Sequence, residues 1–236
     1  MLKNKIGWKF DNTYSSLSQN MLSKLKPTPV KTPELVLFNH NLSKEIDLDF
    51  SQIDNEELAL IFSGNKLPEG TESIAQAYAG HQFGHFTILG DGRAITIGEH
   101  LDKNNNRYDI QFKGSGKTPY SRNADGRAAL GPMLREYLIS EAMHNLGVLT
   151  TRSLAVIKTG EDVIRESILK GAILTRVASS HIRVGTFQYA LISKNKNDLK
   201  TLFDYTLERH YPNIRNSDSP AVDLLKIVLE KQINLI

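Results

Sequence analysis

The four residues Gly90-Asp91-Gly92-Arg93 separate FTIL (86–89) from AITI (94–97). A short Asp-Gly turn between two β-branched runs is the strongest local signal for an antiparallel hairpin. It commits the middle of the chain to antiparallel sheet and predicts a hairpin over 86–97 with Gly90 to Arg93 at its tip. A third strand is predicted at 108–113, where Tyr108, Ile110 and Phe112 alternate with Asp109, Gln111 and Lys113. The segment 102–107, carrying three asparagines, reads as the polar turn before it. The period then changes. Leu130, Met133, Leu134, Tyr137, Leu138 and Ala142 recur every three or four positions, which predicts a helix over about 127–145. Pro132 lies near its start, where proline is tolerated, and Gly147 sits just past its end.

The flanks mix both periods. Leu17, Met21 and Leu25 are four apart and predict a helix within 13–25. Pro27, Pro29 and Pro33 hold the next stretch extended, leading into a strand at 35–38. Helical turns are predicted at 58–62 and 74–78, strands at 154–158 and 171–177, and helices at about 196–209 and from Pro220 onward. The class is therefore α+β. The last helix is apolar on more than one face, with Leu224, Leu225, Ile227, Val228 and Leu229 nearly consecutive. It reads either as a terminal helix docked on the core or as the first part of a larger unit. In the second case apolar side chains stay exposed and the protein tends to associate through them.

Composition removes several classes. Apolar residues make up 40% and charged residues 23%, ordinary for a globular chain. The net charge of +3, with no block of five like charges, does not predict a nucleic-acid surface. The sequence holds no cysteine, so disulfides, thiolate zinc sites and a cysteine nucleophile are excluded within it. No run of 18 apolar residues predicts a membrane span, and the basic opening lacks the apolar core of a secretory signal. The expectation is a soluble, cytoplasmic protein.

Two motifs fail on their own physics. Gly114-Ser115-Gly116-Lys117-Thr118 suggests a phosphate-binding P-loop, but Gln111 stands where the first glycine is needed. Pro119 also pushes Thr118 out of helical space just where a helix must begin. His81 and His85 have a helical metal-ligand spacing, yet Gly80 and Gly84 interrupt the stretch, so both are expected at the mouth of a hairpin.

A third arrangement carries more. A glycine turn, a strand ending in Lys113 and a helix bearing Glu136 follow one another in the order of a protein-kinase small lobe. Glycine lets backbone approach a ligand, lysine supplies charge, and the helix carboxylate fixes the lysine. The words are more specific than the order. AYAGHQFGHFTILGDGRAITIGEH, DIQFKGSGKTPYSRNADGRAALGPMLREYLISEAMHNLGVLTTRSLAVI and ILTRVASSHIRVGTFQYA closely resemble the selenoprotein O (SelO, YdiU) family, as do FDNTYSSL and KPTPV near the start.

The resemblance implies a kinase-like fold that transfers AMP from ATP to protein Ser, Thr or Tyr hydroxyls. It implies an ATP site at Gly90, Gly92, Arg93, Lys113, Asp125, Gly126, Arg176 and Arg183, with Glu136 holding Lys113. Two arginines seven apart among small residues suit a polyanion. It further implies an N-terminal extension over 1–80, a nucleotide-binding small lobe over 81–190, and the first helices of a truncated large lobe over 191–236. The family's catalytic aspartate and its magnesium ligands lie in an NTDN…DYGPF segment, and neither string occurs here. Three readings stay open on sequence alone: half of an adenylyltransferase, a non-catalytic ATP-binding remnant of a split gene, and a basic module that binds an acidic protein.

Overall fold

A computed structural model describes residues 6–82 and 84–235. The basic opening at 1–5 and the last residue of the apolar tail lie outside the described residues. The chain builds one large antiparallel sheet. Its strands are β1 (Leu22–Lys24), β2 (Glu34–Phe38), β3 (Ile74–Gln76), β6 (Ala94–Leu101), β7 (Arg107–Lys113), β8 (Ala128–Ala129), β9 (Arg152–Ile164) and β10 (Ile168–Ala178). They lie in the order β1-β3-β6-β7-β10-β9-β2, with β8 on β10. A separate ribbon pairs β4 (Ala79–Gln82) with β5 (His85–Ile88). The helices are α1 (His40–Glu45), α2 (Asn55–Ser63), α3 (Leu130–Asn145), α4 (Val184–Ile192), α5 (Asp198–His210) and α6 (Pro220–Ile233).

Strand alternation divides the sheet into two faces. Ile110, Phe112, Ile157 and Ile173 pack on one face beneath Leu58, Ile61 and Phe62 of α2 and Leu42 of α1. On the opposite face Val156 and Leu174 meet Met133 of α3. Further along, Tyr14, Met21, Leu22 and Ile74 pack with Ala190 of α4 and Leu202 of α5. Gln111 pairs with Arg176, and Lys113 with Leu174, so these four side chains share the α3 face. That face is polar where α3 ends its cover.

Several sequence expectations need correction. Residues 86–97 are not a hairpin: β5 pairs back on β4, while β6 pairs with β3 and β7. Gly90 to Arg93 is instead the crossover between two sheets. Asp91 draws it inward, since its N–H donates to Gln76 O at 2.9 Å and its carboxylate accepts from Gln76 N at 3.0 Å. The helix expected within 13–25 is a single 3-10 turn at Tyr14–Ser16 followed by β1. Its Leu22 pairs with Gln76, and 74–78 is correspondingly strand rather than helix. Pairing with a neighbouring strand outweighed a weak helical period in a stretch rich in serine and asparagine. Helix α3 starts three residues late because Ala128 and Ala129 pair with Ala172 and Gly171. Helix α4 was not expected at all. The strands at 35–38, 108–113, 154–158 and 171–177 and the helices near 58, 196 and 220 stand where expected, β9 and β10 running longer. No side chain of α6 is buried, and Val222, Leu225, Leu229 and Ile233 are each more than half exposed.

Candidate functional site

Lys113 closes β7 on the α3 face, and Glu136 projects toward it from the second turn of α3. The Lys113 Nζ donates to Glu136 Oε2 in a half-buried ion pair. The other oxygen, Glu136 Oε1, lies 3.5 Å from an Arg176 guanidinium nitrogen. One carboxylate therefore sits between two cations. Arg176 is held from the strand side as well, since it donates to Gln111 Oε1 directly across the β7–β10 pair. Its Nε is buried and has no acceptor among the described residues. Burial pulls the Lys113 amine below its ordinary range, and the nearby Arg176 and Arg93 charges add to this against the opposing pull of Glu136. A lysine depressed by burial first and by neighbouring cations second suits a site that receives an anion.

Arg183 forms the other wall. It precedes the first turn of α4, and its guanidinium stacks over the Tyr78 ring at 4.1 Å. Its NH2 is 3.9 Å from Asp91 Oδ1, and its Nε donates to His181 O at 3.1 Å. Asp91 is fully enclosed, accepting also from Gln111 Nε2 at 3.3 Å, and burial raises its carboxyl against the pull of Arg183. The start of α4 adds the partial positive charge of a helix N-terminus. Among the described residues Lys113, Arg176 and Arg183 have two carboxylate partners, Glu136 and Asp91, and the Arg93 charge acts on Lys113 from beside them.

Beside this cluster lies a cavity of about 800 Å³ lined by Gly90, Gly92, Arg93, Asp125 and Gly126, among others. Tyr78 and Arg93 belong to both places. Tyr78 lines the cavity and stacks on Arg183, while Arg93 lines it and is followed by Ala94, the partner of Lys113. The glycines have an internal reason for their identity. A Cβ on Gly90, whose φ is +130°, would stand 2.4 Å from Tyr120 Cγ, and one on Gly92 would stand 2.8 Å from Tyr120 O. Gly126, at φ +71°, would drive a Cβ to 2.1 Å from Gly116 O. The segment 116–126 is thus threaded tightly under the crossover. Thr118 Oγ1 donates to Asp91 O at 2.7 Å, and Ser121 Oγ donates to Gly92 O.

The structure brings all nine sequence-predicted residues into these two adjoining places. Their supporting partners were missed: Tyr78, Asp91, Gln111, Ser121 and Arg165. Gln111 carried a signal, being two positions before Lys113 on an alternating strand and so on the same face. In sequence Asp91 signals only a turn. His81 and His85 sit on the paired strands β4 and β5.

A family model described as protein adenylyltransferase SelO matches residues 5–236. The chain belongs to this family. Relatives described as protein nucleotidyltransferase YdiU include one from Pelagibacter ubique (strain HTCC1062), 62% identical over 231 residues that make up 98% of this chain and 48% of the relative. Another, from Nitrosococcus oceani, is also 62% identical over 231 residues, 98% of this chain and 47% of the relative. A third, from Shouchella clausii (strain KSM-K16), is 58% identical over 229 residues, 97% of this chain and 47% of the relative. The chain spans about half the length of the curated relatives it matches.

Proposed function

We propose that this chain is the nucleotide-binding part of a protein adenylyltransferase, built like the small lobe of a protein kinase. The observation that carries the reading is the cluster of Lys113, Arg176 and Arg183 around Glu136 and Asp91, with Arg93 on the adjoining cavity and the buried Arg176 Nε without an acceptor among the described residues. A triphosphate supplies acceptor oxygens and negative charge together. Lys113, oriented by Glu136, and the two arginines hold the phosphates. Gly90, Gly92, Arg93, Asp125 and Gly126 line the adjoining space for the rest of ATP. Residues 81–190 form this lobe, with strands β1, β2 and β3 from the preceding segment completing its sheet.

In the full reaction a protein Ser, Thr or Tyr hydroxyl oxygen attacks the α-phosphorus. The bond to the β-phosphate bridging oxygen breaks and pyrophosphate leaves. The cations of this chain offset the charge that gathers on the departing phosphates. The hydroxyl proton needs a base, which the family resemblance places in the NTDN segment that this sequence does not contain. Among the described residues no group of three or more His, Asp or Glu could hold a metal ion; a magnesium ion carried by ATP draws on one or two carboxylates beside the phosphates, and the family resemblance places those in the NTDN…DYGPF segment. Residues 1–236 are therefore expected to bind ATP without transferring AMP. Positioned general bases contribute about 10²–10⁴-fold. Incubation of the chain with α-phosphate-labelled ATP and a protein acceptor tests this, beside a melting curve with ATP. ATP should raise the melting temperature and leave the acceptor unlabelled. Strong labelling, or no ATP effect on melting, would contradict the reading.

A further inference from the structure

The tip of the long β9–β10 hairpin reaches the loop that carries Asp125. Arg165, at that tip, grips Asp125 with both ends of its guanidinium: NH1 to Oδ2 at 2.8 Å and NH2 to Oδ1 at 3.0 Å. The same NH2 donates to Arg127 O at 2.9 Å, so Arg165 binds side chain and backbone of one loop together. The Arg127 amide also donates to Asp125 Oδ1, at 2.8 Å. A second tie, Arg127 to Glu161 of β9 at 3.2 Å, anchors the loop further up the hairpin. Ile164 and Arg165 line the same cavity as Gly90, Gly92 and Arg93.

Counting acceptor positions shows what the grip leaves open. A carboxylate oxygen has about two lone-pair directions. Oδ1 uses both, on Arg165 and the Arg127 amide, whereas Oδ2 uses one. Oδ2 thus carries the lighter share of the grip, and the carboxylate, 43% exposed, stands open at the edge of the cavity. A phosphate oxygen only accepts, as the ionised carboxylate does, so the phosphates cannot bond to it. The groups of a nucleotide that donate are its ribose hydroxyls and its base amino group. The ion pair itself is solvent-exposed at both ends, and such pairs contribute little to stability.

We propose that Arg165 is a positioning residue for the nucleoside: it turns Asp125 so that a single carboxylate oxygen accepts from a ribose hydroxyl or the base amine, while Lys113, Arg176 and Arg183 take the phosphates. This rests on the ATP-binding reading above. Calorimetric titration with ATP and with inorganic tripolyphosphate tests it, using the wild-type chain, Arg165→Gln and Asp125→Asn. Arg165→Gln is expected to weaken ATP about tenfold, the loss of one oriented charge-assisted hydrogen bond, with tripolyphosphate binding and melting temperature unchanged. Asp125→Asn should give the same selective loss, and the double variant should lose no more than either single one. Equal losses for ATP and tripolyphosphate, or no loss of ATP affinity in either variant, would overturn the role of Arg165 and leave the phosphate site standing. A wild-type chain that binds tripolyphosphate but gains nothing from the nucleoside would also overturn it. A wild-type chain that binds neither ligand would overturn the ATP-binding reading itself.

Discussion

Glu136 serves two cations at once, and its removal should be felt before any ligand is added. Without it, Lys113 and Arg176 face each other half-buried with no shared acceptor. Glu136→Ala is expected to lower stability in urea by about 1–3 kcal/mol, the range for stranding a buried polar partner. Tripolyphosphate should then raise the melting temperature of the variant more than that of the wild type, because an anion replaces the missing carboxylate. Wild-type stability in Glu136→Ala would show that the three side chains do not form one unit. The Lys113–Glu136 pair was legible because a strand-end lysine and a helix carboxylate follow each other in one chain segment. The contact of Arg176 with Gln111 was not, since it depends on the register between β7 and β10, 65 residues apart in sequence. Asp91 was hidden for a related reason: an aspartate between two glycines satisfies a turn, and only the packing of the crossover against Tyr120 makes it a partner of Arg183.

At the scale of elements, the threading of 116–126 beneath the crossover is the tightest part of the site. Gly126→Ala is expected to destabilise the protein by more than about 2 kcal/mol, because a positive φ and a Cβ at 2.1 Å from a backbone oxygen act together. Thermal melting followed by circular dichroism checks this; a wild-type curve would mean that the loop can open at little cost. Helix α6 makes the opposite case. Its exposed Leu225 and Leu229 lie one turn apart on one face. Leu225→Glu with Leu229→Glu should change stability by no more than about 0.5 kcal/mol per site and lower self-association in sedimentation velocity. Unchanged sedimentation would show that this face does not mediate contact between copies. Its apolar spread was visible in sequence because helical period and hydrophobicity are both local. The fate of 86–97 was not, because Asp-Gly specifies a turn but not which strand lies beyond it. Here β4 won the pairing with β5, and the glycines serve a crossover.

Across the whole molecule, a buried charge network ties α5 to the sheet. Arg209 donates to Asp109 Oδ1 at 2.7 Å and lies 3.1 Å from Glu99 Oε2, all three being almost fully enclosed. Burial works to raise the Asp109 carboxyl, but the His181 hydrogen bond and the Arg209 charge overcome it and bring it to about 2. Arg209→Ala would remove the charged partner of Asp109 Oδ1 while Glu99 keeps Arg107 at 3.1 Å and Asp109 keeps His181, and should cost about 3–5 kcal/mol at most, read by urea unfolding. Acid should weaken the fold earlier than carboxylates alone require. Burial depresses His100, His181 and His210, the last to about 4. Unfolded, each takes a proton near pH 6.5, so stability is full above that value and is lost as pH falls toward about 4. Asp91, raised by burial, runs the other way and offsets part of the loss once it protonates. The melting temperature should therefore fall steadily across that window, less steeply in His210→Gln; a flat profile in the wild type would contradict it.

The cationic cluster itself is tested most directly by calorimetric titration of ATP into the wild-type chain, Lys113→Ala, Arg176→Ala and, as a control at the exposed far end of the β6–β7 pair, Lys103→Ala. Saturable binding to the wild type is expected, unchanged in Lys103→Ala and weakened at least about tenfold in each of the other two, the loss of one charge-assisted contact to phosphate. Equal affinity in all four proteins, or no binding in any, would contradict the assignment of Lys113 and Arg176 to an ATP site.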